Sequence, residues 1–289
     1  MIIKGFRVAR LKEFEQLCSE NGLNIVAGIT ELKKPIKNKK ISLSDGPGSA
    51  PTLSEKKKAH KNRDFLARAL GLKKLIFPLI EVQADNVLVN PPKLIDNPKL
   101  MLKAFKFGDK LRENFANELG DAIALTDRKS NLKNGVAVHA ADCGVLLIAT
   151  KVNKGTIAAV HSGWKGTRLN ITAKALGAVG ADKDLANTCV YLGPIICGDC
   201  NEFGKELYKE EFKSQKNSAK WIKPHPSDNQ KVVFDNRRAI LDQMKNFGIK
   251  DENIIVDLRC TMEDPHFYSY RKDGSEMFSS FAVAIGFVE

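Results

Sequence analysis

Two stretches near the middle of the chain are apolar almost without a break. They are GVAVHAADCGVLLIAT, residues 135–150, and GTIAAVHSG, residues 155–163. A strand with one wet face alternates apolar and polar side chains, whereas a strand covered on both faces reads as a near-continuous Val/Ala/Ile run. Neither run approaches the ~18 residues of a membrane span. Both therefore predict strands buried on both faces at the centre of the fold. The polar residues fall at the strand ends. Cys143 follows Asp142 at a strand boundary, and His161 ends a strand that feeds the loop SGWKGT. Side chains at strand ends leave the core and share a rim.

Around these runs, strands and helices alternate imperfectly. NRDFLARALG predicts a helix from Asn62, with Phe65, Leu66, Ala69 and Leu70 on one face and Gly71 as its stop. KLIFPLIEVQADNVLV predicts strand, with Pro78 at an edge or break, and Pro91 and Pro92 end it. NPKLMLKAFKFGDKLRENFANELG predicts an amphipathic helical insert, and DAIALT a return to strand. TRLNITAKALGAVG predicts a helix with Thr167 as its N-cap. TCVYLGPII, KVVFD, ENIIVDLRC and HFYSYRKDG predict strands. GKELYKEEF and NRRAILDQMKNFG predict helices, the second capped by Asp235. Adjacent strand pairs interrupt the alternation, so the expected class is α+β, with mixed sheets packed by helices in a single domain. No internal repeat is visible. Residues 1–61 read as N-terminal strands and loop ahead of a main domain at 62–289. The segments ELKKPIKNKK and SDGPGSAPTLSEKKKAHKNR are rich in Lys, Ser, Gly and Pro, and predict exposed, partly flexible chain.

Charge narrows the partners. Lysine and arginine number 46 against 34 acidic residues, a formal charge of +12, which favours anionic partners such as phosphates and nucleotides. The Lys runs carry no interleaved aromatics, so they read as solvated surface, and a nucleic-acid platform is not expected. Six cysteines in 289 residues do not make a disulfide framework. The opening MIIKGFRVARLKEF has no sustained apolar run and no small-residue cleavage site. A reducing cytoplasm with free thiols is the expected setting.

A thiolate and an imidazole are both good zinc ligands. They are also the two halves of a cysteine nucleophile with its base. A buried cysteine can equally be a small hydrophobe, so Cys143 and His161 leave all three readings open. Beside them, Gly163, Gly166 and Thr167 form a strand–loop–helix entry whose N–H groups can hold an anion, with Lys165 adding charge. The spacing is not that of a P-loop. CGDC, Cys197 to Cys200, resembles half of a zinc ribbon, but no second such pair exists, and a redox site needs the motif at a helix start. Cys18 and Cys189 read as packing residues.

The blocks ADC…VLL…AAVHSGWKGT, LGPIICGDCNEFG, RCT and FYSYRKDG, in that order, resemble the YfiH-like or laccase-domain family. The resemblance runs from about Asn62 to the C-terminus. Bacterial members are labelled polyphenol oxidase, peptidoglycan editing factor or purine nucleoside phosphorylase. It implies an α-β fold related to the cytotoxic necrotizing factor deamidase domain, and one zinc held by two histidines and a cysteine. Cys143 and His161 match two ligand positions. Where the family has the histidine of QVHG, this chain has EVQADNV, so Gln83 stands at the third position and Ala84 replaces the glycine. An amide oxygen is a weak zinc ligand, and catalytic zinc normally has three firm protein ligands. His139 is a possible substitute, but along a regular strand its α-carbon would lie ~13 Å from that of Cys143, at ~3.3 Å per residue. His60, His225 and His266 match no ligand motif. The resemblance further places Arg63, Lys165, Thr167, Tyr270 and Arg271 near substrate or phosphate. Lys165 replaces the usual arginine of GWRGT and loses bidentate geometry. Arg271 can alternatively pair with Asp273 in a turn.

The implied activity is zinc-dependent phosphorolysis of a purine nucleoside, or deamination of adenosine, with nucleoside and phosphate as partners and no membrane. Two alternatives stand beside it. One is a metal-free Cys-His hydrolase or amidase acting on peptidoglycan-type or other amide substrates. The other is a degenerate member that binds a nucleotide or protein without catalysis. Multi-copper chemistry is disfavoured because no His-rich copper clusters are present.

Overall fold

A computed structural model describes residues 2–3, 6–33, 53–78, 85–90, 120–212, 218–274 and 279–289. The chain opens with β1 (Ile2–Ile3), β2 (Phe6–Arg10), α1 (Lys12–Glu20), β3 (Ile25–Leu32), α2 (Leu53–Ala69), β4 (Lys74–Ile76) and β5 (Val87–Val89). The central run is β6 (Ala122–Thr126), β7 (Asn134–Ala140), β8 (Gly144–Thr150), β9 (Thr156–Ser162), α3 (Trp164–Arg168), α4 (Ile171–Ala178) and β10 (Cys189–Leu192). Then follow β11 (Glu202–Gly204), α5 (Lys205–Phe212), β12 (Ile222–Pro224), β13 (Lys231–Phe234), α6 (Asn236–Phe247), β14 (Ile254–Val256), α7 (Tyr270–Asp273) and β15 (Phe281–Phe287).

Three sheets result. The first has order β1-β2-β3-β15-β7-β4, the second β14-β10-β8-β9-β6-β5, and a small third β11-β13-β12. Both large sheets are mixed. Most of their pairings are antiparallel, while β4–β7, β5–β6 and β10–β14 are parallel. The expected α+β class with mixed sheets is what the chain adopts.

The two apolar runs occupy the centre, as their composition requires. Along β8, Val145, Leu147 and Ala149 face the first sheet, where they meet side chains including Val136, Val138, Val283 and Ile285. Leu146 and Ile148 face the other way, onto Ile171, Ala175 and Leu176 of α4 and Ile240 and Met244 of α6. Every residue of β8 and β9 is buried. On the outer face of the first sheet, the small side chains Ala137, Ala282 and Ala284 let Leu66 and Ala67 of α2, and Leu70 just past its end, approach. The order of layers is thus helix, sheet, sheet, helices. Each fully buried Leu or Ile contributes about 1.5–3 kcal/mol relative to exposure, so this central packing dominates stability.

Four expectations are corrected. The run 135–150 is two strands in different sheets, β7 pairing with β15 and β8 with β9 and β10. The chain crosses between sheets at 141–143, where Asp142 takes φ 84°, a left-handed conformation that Asp tolerates better than most residues. In the N-terminal segment, β3 pairs with β15 in the first sheet. Residues 53–61 are helical, so position 61/62 falls inside α2. Past Pro51 the segment LSEKKKAHK contains only helix-compatible residues, with Ala59 buried. Thr167 lies within α3 instead of capping it. The helix begins at Trp164 after Gly163 and breaks where Asn170 turns left-handed at φ 63°. Finally, HFYSYRKDG is a turn leading into α7, capped by the Ser269 side chain, which accepts from the Lys272 N–H. Asp235 caps α6 as expected, accepting from the Arg238 N–H. Gln83, the insert at 97–119 and the Lys-rich residues 34–52 lie outside the described residues. No described helix is long and apolar enough to cross a membrane.

Candidate active site

The ends of β8, β9, β10 and β14 meet at one edge of the second sheet, because Gly144 pairs with Ser162 and Leu192 with both Leu146 and Val256. His161, the penultimate residue of β9, is 5% exposed. Its Nδ1 lies 2.9 Å from Asp121 Oδ1, and its backbone N–H donates to the Asp121 carbonyl at 2.6 Å. Asp121 itself is 1% exposed. A buried carboxylate at Nδ1 fixes the ring and its tautomer, making Nε2 the ligand or base atom.

That atom faces Cys143 across a glycine. A Cβ built on Gly163 would stand 3.1 Å from Cys143 Sγ, 3.5 Å from His161 Cε1 and 3.8 Å from His161 Nε2. Gly163 has φ −68° and ψ 172°, an ordinary extended conformation. A methyl there would crowd the Cys143 thiol, so the glycine keeps this space open. The gap it leaves is bounded by one sulfur and one imidazole, a donor pair suited to a zinc-type cation.

Cys143 owes its place to Asp142. The Asp142 side chain is 7% exposed and accepts from Thr261 Oγ1 at 2.6 Å, Ser269 Oγ at 3.0 Å and the Arg271 N–H at 2.8 Å. Its carbonyl accepts from the Ile196 N–H at 3.1 Å. Four bonds to three distant segments hold the left-handed residue, a form of backbone strain that persists only when its surroundings fix it. They also bring the SYRKDG block to the thiol.

The remaining sequence-predicted residues separate into groups. Lys165 lies over the Trp164 ring at 5.3 Å, Trp164 meets Phe203 edge-on at 5.7 Å, and Arg271 lies over Phe203 at 5.1 Å. Lys165 and Arg271 thus bracket one half-buried aromatic pair next to Gly163. Tyr270 is half-exposed, and Asp273 accepts from the Ser269 N–H. Thr167 is fully buried, with its hydroxyl 2.8 Å from that of Ser162, so it holds the loop from beneath. Arg63 lies over Phe77 at 4.4 Å, and His139 stacks on the same ring at 6.3 Å. His139 therefore belongs to the α2 side of β7, opposite the face of Val138 and Ala140. His225 lies near Glu202 and His266 near Asp264, each at 2.9 Å.

Sequence reasoning missed Asp121, whose only signal was its position as the first residue of DAIALT. It also missed a second donor cluster. Cys197, Cys200, Cys260 and Glu263 place their ligand atoms within 4.8 Å of one another, an arrangement that can hold a metal ion. Beside it, Arg259 bonds Asp257 and Glu31 at 2.6 Å each. Burial pushes the Asp257 carboxyl up, but the Arg259 hydrogen bonds and charge outweigh it and hold the group below the ordinary range. Tyr191, buried and donating to Asp257 at 3.1 Å, is pushed well up, chiefly by burial.

Comparison with known proteins decides the family. Residues 52–286 match the profile of the family described as multi-copper polyphenol oxidoreductase laccase. The chain belongs to this laccase-domain family. It is 31% identical over 199 residues to a purine nucleoside phosphorylase of Aquifex aeolicus, covering 67% of this chain and 86% of the relative. A purine nucleoside phosphorylase of Clostridium acetobutylicum is 32% identical over 169 residues, 57% of this chain and 66% of that one. The laccase-domain fold is matched by the solved YfiH protein of Bacillus licheniformis, with TM-score 0.70 at 17% identity, covering 98% of this chain and 99% of that one.

Proposed function

We propose that this laccase-domain chain is a zinc-dependent purine nucleoside phosphorylase. The observation that carries the reading is the convergence of Cys143 Sγ and the Asp121-oriented His161 ring on the space above Gly163. Names of relatives in the same family support the substrate class. The residues fit a zinc ion: a thiolate, an imidazole oriented through its second nitrogen, and a gap that a Cβ would close. His139 stacks on Phe77, and the family resemblance implies Gln83 as the residue at the third ligand position. Bound zinc would supply Lewis-acid polarisation of a substrate oxygen.

Phosphorolysis forms a bond from a phosphate oxygen to C1′ of the ribose as the C1′–N9 bond breaks. The base leaves with the bonding electron pair and takes up a proton. The chain's own contribution is position and charge. Lys165 and Arg271 supply the cations that hold phosphate, while Arg63, on the Phe77 ring with His139, belongs to the α2 group. The Trp164–Phe203 pair offers apolar faces beside them. Tyr270 lies at the open rim, and Thr167 keeps the loop that carries Lys165 in place. Asp121 holds the His161 ring in one orientation throughout.

The test is phosphate-dependent release of hypoxanthine from inosine by zinc-loaded protein, suppressed by a chelator and restored by zinc. Adenosine is assayed in parallel, for phosphorolysis and for deamination. If metal-replete protein leaves both nucleosides intact, the reading fails.

One observation favours a second reading. Cys143, His161 and Asp121 also have the order of a nucleophile, its base and the base's orienting carboxylate. A metal-free cysteine hydrolase predicts that Cys143 reacts with iodoacetamide faster than a free thiol at neutral pH, and that chelators leave amide hydrolysis unchanged.

A further inference from the structure

We infer that Cys197, Cys200, Cys260 and Glu263 form a second, structural zinc site, separate from the Cys143–His161 pair. The argument starts from two turns. In the first, the Cys200 N–H donates to the Cys197 carbonyl at 3.2 Å; in the second, the Glu263 N–H donates to the Cys260 carbonyl at 3.2 Å. Each is a four-residue turn with an i to i+3 bond and a ligand at its first and last positions. C-x-x-C is thus matched by C-x-x-E across the cluster. Two ligand-bearing turns facing each other supply three sulfurs and one carboxylate oxygen, a donor set zinc accepts in a tetrahedron.

The dimensions agree. Zinc–sulfur bonds of about 2.3 Å in a tetrahedron put ligand sulfurs about 3.8 Å apart. The four donor atoms lie within 4.8 Å of one another, and Cys200 Sγ is 3.7 Å from Glu263 Oε1. Closure therefore needs inward shifts of an ångström or less. The Cys197 N–H already donates to Cys260 Sγ at 3.2 Å, a bond that stabilises a thiolate. Cys260 is buried and the other two cysteines are partly exposed, which lets an ion enter from one side. Four donors fill four positions, so no open site remains for substrate, and the role is structural. All six cysteines are free thiols, so the donors are available.

The position gives the ion a purpose. Ile196 and Thr261, each next to a ligand cysteine, are two of the residues that bond Asp142. An ion clamping the two turns fixes the anchors of the residue that sets Cys143.

The experiment uses the full-length chain carrying Cys143→Ala, freed of metal under reducing conditions and titrated with cobalt. Cobalt(II) reports thiolate ligands by a near-ultraviolet charge-transfer band whose intensity scales with their number. The expected result is a band of three-thiolate intensity that saturates at one equivalent and is bleached by zinc. Adding Cys200→Ala should cut it by a third or more. Independently, zinc should shield three thiols of the Cys143→Ala chain from a thiol reagent, and a chelator should expose them. The inference is overturned if the Cys143→Ala protein shows no band, or one of single-thiolate intensity. It is equally overturned if Cys197 and Cys200 remain disulfide-bonded in reduced protein supplied with zinc. Failure of nucleoside turnover would leave these outcomes unaffected, so the two readings fail separately.

Discussion

Two groups of metal-type donors share one edge of the second sheet and are built on opposite plans. Around Gly163, a single thiol and a single imidazole line a gap, and the imidazole is oriented from behind by a buried aspartate. Around Cys260, three thiols and a carboxylate close on one another from two facing turns. The first group is incomplete by itself and leaves room for another ligand. The second is complete and leaves none. Asp142 joins them, since its carbonyl and carboxylate bond both turns while its chain neighbour is Cys143. The contrast teaches that donor chemistry alone does not separate a structural role from a catalytic one, and that the proposed catalytic reading rests on the open position beside the oriented donors.

The strongest way to break this comparison is to remove the open site's sulfur. Cys143→Ala should lower kcat/KM for inosine by ~10³-fold or more, the scale of losing a metal or acid–base centre. Its melting temperature should move by only a few degrees. Retained, chelator-sensitive turnover in that variant would shift the catalytic role to the closed cluster. Next in size is Gly163→Ala. The backbone there suits alanine, so unfolding should show unchanged or slightly higher stability. The new methyl stands 3.1 Å from Cys143 Sγ and should cost about 10²-fold in kcat/KM, as ångström displacements of reacting groups do. Equal activity would mean that the gap is not the reaction site.

The closed cluster was the harder of the two to read in the sequence. Cys143 and His161 announce themselves because each ends an apolar run. Cys197 and Cys200 do so by spacing, which points to another C-x-x-C as their partner. The real partner pair is C-x-x-E, Cys260 and Glu263, brought up by a turn 60 residues later. Carboxylates are too common in sequence to mark a ligand, so only the turn geometry singles out Glu263. The same limit hid Asp121, which lies 40 residues from the histidine it orients. In the fold, β8 and β9 were legible from unbroken apolarity, and α6 from its Asp235 cap. The boundary at Asp142 was legible too, but not that the chain changes sheet there, because nothing in the run marks which sheet each half joins. The segment at 264–273 has strand-forming residues, Phe267, Tyr268 and Tyr270, but Asp142 and the Ser269 cap override that preference.

Smaller effects sharpen how the two groups are tied together. Arg259, the residue before Cys260, bonds Glu31 on β3 and Asp257 after β14, and so links the two large sheets. Arg259→Leu should destabilise the chain by roughly 2 kcal/mol. Stranding a fully buried charge costs 3–5 kcal/mol, and the discount reflects a guanidinium that is 36% exposed. Denaturant unfolding measures it. If the closed cluster is independently clamped, that variant should still take up cobalt with three-thiolate intensity.

The smallest expected effect is the acid limb of the same linkage. Arg259 holds the Asp257 carboxyl below its ordinary value despite burial. A depressed folded pKa means that the unfolded chain binds the proton more readily. The stabilisation is therefore fully present above the unfolded value near 3.8 and is lost as pH falls through the folded one. Melting temperature measured across that acid range should decline for the unmodified chain and decline less steeply for Asp257→Asn, which has no proton to take up. Parallel slopes would mean that other carboxylates carry the acid response, and that the Asp257–Arg259–Glu31 bridge positions the Cys260 turn by geometry, with its charge contributing little.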